Sequence, residues 1–143
     1  MTVPPAVVVH GLGDALAALS HGRPVLLLSA PGAALYAGSG WWRALVAAAR
    51  QARPDVAVMD ALDCADAPGR ALEALSVGCG IVILSARADV FRQVAAIAAA
   101  SDATLWADRP QALDMAVRGA ARRLPQWLGM PPADPGDGAK RAG

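Results

Sequence analysis

Five times along the chain, a short run that is apolar on both faces gives way, after a few turn residues, to a longer stretch with helical spacing. The runs are AVVVH (6–10), PVLLLSA (24–30), DVAVMD (55–60), GIVILSA (80–86) and ATLWA (103–107). A strand with one wet face alternates apolar and polar residues. A continuous apolar run needs cover on both faces, which is the environment of a parallel sheet built from β-α-β units. The pattern therefore predicts an α/β protein with right-handed crossovers and a three-layer sandwich around a five-stranded parallel sheet.

The expected strand order is the flavodoxin-like 2-1-3-4-5, with an isolated half of a (β/α)₈ barrel as the competing architecture. Between the strands, residues 41–52 place Trp42, Leu45, Val46 and Ala49 on one side and Arg43, Arg50 and Arg53 on another. Residues 88–100 repeat Val90, Val94, Ile97 and Ala98, with Asp89 in the first turn where the helix dipole favours an anion. A third helix is expected over 111–124 on the stripe Leu113, Val117, Ala120 and Leu124, stopped by Pro125. Asp66, ahead of Ala67 and Pro68, reads as the N-cap of a helix over GRALEAL. One domain over residues 1–128 accounts for the pattern. The stretch 129–143, PPADPGDGAKRAG at its end, has the composition of a disordered tail.

Charge and composition exclude more than they include. A net charge of +1 offers no single-sign field for nucleic acid or an anionic membrane. The only lysine, Lys140, lies in that tail, so Walker-type and Schiff-base lysine chemistry is not expected, and no cofactor is called for. The N-terminal apolar run is interrupted well before the length of a membrane span and has no basic segment ahead of it, so a cytoplasmic chain is expected. Cys64 and Cys79 are then free thiols. Two histidines and two cysteines at no ligand-type spacing argue against a zinc site, leaving only a Mg²⁺ on Asp60 or Asp63 to consider.

Ligands of open parallel sheets bind beyond the carboxyl ends of the strands. Along that margin the sequence sets His10, Ser29, Asp60, Asp63, Cys64, Ser85, Arg87, Asp108 and Arg109. Cys64, ahead of a helix N-terminus, reads as a candidate nucleophile with His10 as its base and Asp63 beside it. The long loop SAPGAALYAGSGWW (29–42) carries Gly38 and Gly40 just before a helix, an arrangement that can cradle a phosphate or carboxylate. Equally, Pro31 can start a short helical turn and leave Gly38 to Gly40 as a linker.

From Arg53 onward the chain resembles the receiver domains of two-component response regulators. RPDVAVMDALD is similar to their third strand with Asp60 at the phospho-acceptor position, IVILSAR to the fourth with Ser85, and ATLWADRPQALDMAVRGAARRL to the fifth strand and last helix. Arg109-Pro110 stands where that family has lysine-proline, and His10-Gly11 stands where it has an acidic pair. The resemblance implies a degenerate receiver without phosphorylation chemistry.

Two functions follow as expectations. One is a non-enzymatic module that forms a homo-oligomer, or binds a protein partner, through an alanine-rich helix face with Trp127 or the Trp41 region. The other is a small-molecule enzyme or anion-binding protein with a pocket bounded by Gly38 to Gly40, Asp60 to Cys64 and Arg87.

Overall fold

The computed structural model describes residues 2–130. The expected tail lies outside the described residues except for Gly129 and Met130. Six strands run parallel: β1 (Ala6–Val8), β2 (Val25–Leu28), β3 (Val58–Asp63), β4 (Ile81–Ile83), β5 (Thr104–Trp106) and β6 (Ala112–Asp114). The helices are α1 (Leu12–Leu19), α2 (Ala33–Tyr36), α3 (Ser39–Ala52), α4 (Pro68–Ser76), α5 (Ala88–Ala100) and α6 (Ala120–Trp127). The α/β class and the parallel sheet are as expected; the strand number and order are not. The sheet has six strands in the order β5-β4-β3-β2-β1-β6, rather than five in the order 2-1-3-4-5.

A sheet that steps in one direction from β1 to β5 through right-handed crossovers places every crossover helix on the same face. The core confirms this. Buried residues of all six helices, among them Leu19, Ala34, Trp42, Leu75, Val94 and Leu124, join one cluster with Val7, Leu27, Leu62 and Val82 of the strands. The opposite face carries Ala6, Val8, Leu26, Leu28, Ala61, Ile81 and Ile83, a cluster of strand residues alone. Among the described residues, no helix contributes to that second cluster.

That second face is nevertheless buried, with none of its seven core residues more than 4% exposed. Curvature covers it, and chain length forces the curvature. Trp106 and Ala112 bound the link from β5 to β6, and the register sets Thr104 level with Asp114 through Ile81, Ala61, Leu28 and Val8. In a flat sheet the two edge strands would stand about 24 Å apart, while the six residue steps of the link reach at most about 22 Å. The sheet must curl, concave side away from the helices, to bring its edges within reach.

Local differences from expectation fall in β3, in residues 111–127 and at the start of α4. β3 was expected to end at Asp60 but runs to Asp63, because each buried aspartate meets an arginine from a distant segment. The expected helix over 111–124 is instead β6, a turn and α6. Asp114 accepts the Ala116 N–H at 2.9 Å, and Gly119 adopts φ 82, so the chain bends where a helix would have continued. α6 also passes through Pro125 to Trp127, whose indole N–H donates to the Ala6 carbonyl at 2.8 Å. Asp66 caps nothing; the N-cap of α4 is Ala67, with Pro68 at the first helical position as expected.

The Arg50–Asp60 pair ties α3 to β3 at 2.9 Å, with Asp60 4% exposed and its second oxygen buried without a partner. Losing one member of such a pair is costlier than losing both. Arg50→Met should destabilise by about 2–3 kcal/mol, and the double variant Arg50→Met with Asp60→Leu should recover most of that loss in urea denaturation.

Candidate functional site

The carboxyl ends of β2, β3, β4 and β5 border a cleft of about 380 Å³. Asp63, the last residue of β3, faces the concave side. One of its oxygens accepts the Ala65 N–H at 2.7 Å, and the other lies 2.8 Å from Arg109 Nη1. Arg109 comes from the β5–β6 link, so this ion pair fastens the link across the top of the sheet. Behind it, the Asp63 N–H donates to the Ser29 hydroxyl at 2.9 Å, and that hydroxyl donates to the Ala30 carbonyl. Ser85, Asp108, Pro31 and Gly32 complete the rim. Ala65 holds φ 50, a left-handed conformation costing a non-glycine residue of order 1 kcal/mol. The conformation directs its N–H to Asp63 and its carbonyl to the Ser85 N–H.

Of the expected site residues, the structure therefore brings together Ser29, Asp63, Ser85 and Arg109. Asp108 of the same margin also lines the cleft, while His10, Asp60, Cys64, Arg87, Gly38 and Gly40 lie elsewhere. Asp60 and Asp63 project from opposite faces of β3, the one to Arg50 of α3 and the other to Arg109, so they cannot share a Mg²⁺. Asp60, at the position matching a receiver's phospho-acceptor, is in mid-strand and buried against a helix. Arg87 is 81% exposed and paired with Asp89. Gly38 is the N-cap of α3 at φ 88, and neither it nor Gly40 borders the cleft. Pro31 and Gly32 lead into the short helix α2, the alternative that leaves Gly38 to Gly40 as a connection.

Cys64 and His10 are not brought together. β2 separates their strands, whereas the pairing required β1 and β3 to be neighbours. Cys64 is fully buried in the helix-side core, and burial, with smaller contributions from Cys79 and Asp63, pushes its thiol up to about 12. Little thiolate exists there at neutral pH. His10 Nε2 lies 2.7 Å from Asp114 Oδ1, while the His10 N–H donates to Asp14. Partial burial opposes the charge on Asp114, but the Ala116 N–H and His10 outweigh it and hold its carboxyl below the usual range. The pair fastens β6 to β1.

Sequence reasoning missed Arg50, Ala65 and Asp114. Only Asp114 left a signal, as an aspartate two residues before a chain reversal. A larger cavity of about 590 Å³ opens at the amino ends of the strands between Pro4, Pro5, Pro24, Met59 and Leu128, with Arg23 as its charged group. The carboxyl-edge cleft is the better candidate site because polar groups converge on it. Among the described residues no helix is long and apolar enough to cross a membrane, and no three potential metal ligands group together. No family model matches the chain, and no curated protein matches it.

Two outcomes follow. Arg109→Ala leaves Asp63 buried without its cation and should cost about 3 kcal/mol, whereas Arg87→Ala should stay within about 0.5 kcal/mol of the parent in thermal unfolding. Burial also raises Cys79, to about 11. Because both thiols are raised above the ordinary 9.0 when folded, stability should be intact below pH 9 and fall as pH climbs toward 12. Cys64→Ala should flatten that alkaline decline, and iodoacetamide should modify native Cys64 far more slowly than a free thiol at pH 7.

Proposed function

We propose that the protein is a non-catalytic α/β module that self-associates through the apolar surface at the α2–α3 corner. The observation that carries this reading is the exposure of Tyr36 (71%), Leu35 (46%) and Trp41 (37%) within seven residues of chain. A soluble monomer rarely spends aromatic surface in this way, and aromatic anchors dominate association energies. Leu12 and Leu16 of α1, which packs beside α3, and Leu72 of α4 add exposed apolar area on neighbouring helices. Trp127 does not contribute, since it is partly buried and bonded to Ala6. Residues 31–42 contain no charged side chain, so this segment presents no like-charge repulsion to a second copy. Two free, buried thiols fit a reducing compartment such as the cytoplasm.

Sedimentation velocity tests the reading. The parent should be a dimer or larger at micromolar concentration, and Tyr36→Glu combined with Trp41→Ser should give a monomer with an unchanged circular dichroism spectrum. A parent that remains monomeric at the highest soluble concentration sinks the proposal.

A further inference from the structure

We propose that the carboxyl-edge cleft binds a small organic ammonium ion, with the charged head on Asp108 and a short apolar body against Pro31 and Ala107. This site is distinct from the self-association surface and does not rest on it. The cleft, at about 380 Å³, falls within the size range of small-molecule sites. Three charged side chains line it: Asp63, Asp108 and Arg109. Asp63 and Arg109 satisfy one another at 2.8 Å, with the Asp63 side chain only 7% exposed. The remaining charge is Asp108, whose carboxylate makes no hydrogen bond among the described residues.

The wall therefore carries one net negative charge, and this decides between ligand classes. An anion approaching Arg109 comes equally against Asp63 and Asp108, and Asp114 is near enough to be held ionised partly by the same guanidinium. A cation approaching Asp108 meets a partner with no other claim on it. The Ser85 hydroxyl, also without a hydrogen-bond partner among the described residues, supplies a neutral acceptor for a second N–H. Pro31 and Ala107 supply accessible apolar wall, which suits a hydrocarbon body better than the hydration shell of a metal ion.

The experiment titrates the full chain with n-pentylammonium, pentanoate and 1-pentanol, following the backbone amides of Ala65, Ser85 and Asp108 by ¹⁵N nuclear magnetic resonance. Saturable shifts should appear with the ammonium alone. Asp108→Asn, an exposed substitution that keeps the fold, should weaken them about tenfold, the loss of one charge contact. Saturation by pentanoate, an ammonium response that survives Asp108→Asn unchanged, or no saturable ammonium response overturns the proposal. The same titration on the Tyr36→Glu, Trp41→Ser variant should give an unchanged ammonium response, which separates this outcome from that of the self-association test.

Discussion

The short link from β5 to β6 constrains the molecule more than any single packing contact does. Five residues, Ala107 to Gln111, join strands at opposite edges of a six-stranded sheet without a crossover helix. The link cannot lengthen, so the sheet bends. Bending buries Leu26, Leu28, Ala61 and Ile83 against strands of their own sheet and removes the need for helices on that face. The same link delivers Arg109 to Asp63.

β3 shows how the curl and the helical layer divide one strand. Asp60 and Asp63 are three residues apart, and period-two alternation sends them to opposite faces. Each would be prohibitive in a core alone. Asp60 is tolerated because Arg50 reaches it from α3, and Asp63 because Arg109 reaches it from the link; the two arginines come from segments 10 and 46 residues away in sequence. Only Asp63 opens on a cleft. The division therefore turns two similar aspartates into a helix-to-sheet fastener and a cleft wall.

The same non-locality sets what the sequence could reveal. Strand positions, the parallel class and α3 and α5 were legible, because continuous apolar runs and the spacing of Leu45, Val46 and Ala49, or of Val94 and Ala98, follow from local burial. The end of β3 was not legible, since a buried aspartate is acceptable only with a distant cation. β6 was not legible either: ALD has helical spacing with the residues after it, and it becomes a strand because β1 offers a free edge. Strand order could not be read at all, and the Cys64 and His10 pairing fell with it. At the site, Asp63, Ser85 and Arg109 were found from the rule that ligands gather beyond strand ends, which holds for either winding.

The β2–α2 connection joins the two surfaces. Pro31 and Gly32 form one wall of the cleft, and Leu35 and Tyr36 follow within a single helical turn. Gly32 holds φ 67, and a side chain there would meet the Ala65 Cβ at 3.8 Å, so the cleft wall that abuts the strained residue serving Asp63 shares one short segment with the exposed aromatic corner. α2 is only four residues long and rests on β3 and α4. A ligand seated against Pro31 without shifting the backbone leaves Tyr36 in place, and binding at the two surfaces then carries no coupling free energy. The two surfaces are chemically independent and mechanically adjacent, so any coupling between them runs through the backbone from residue 31 to residue 36.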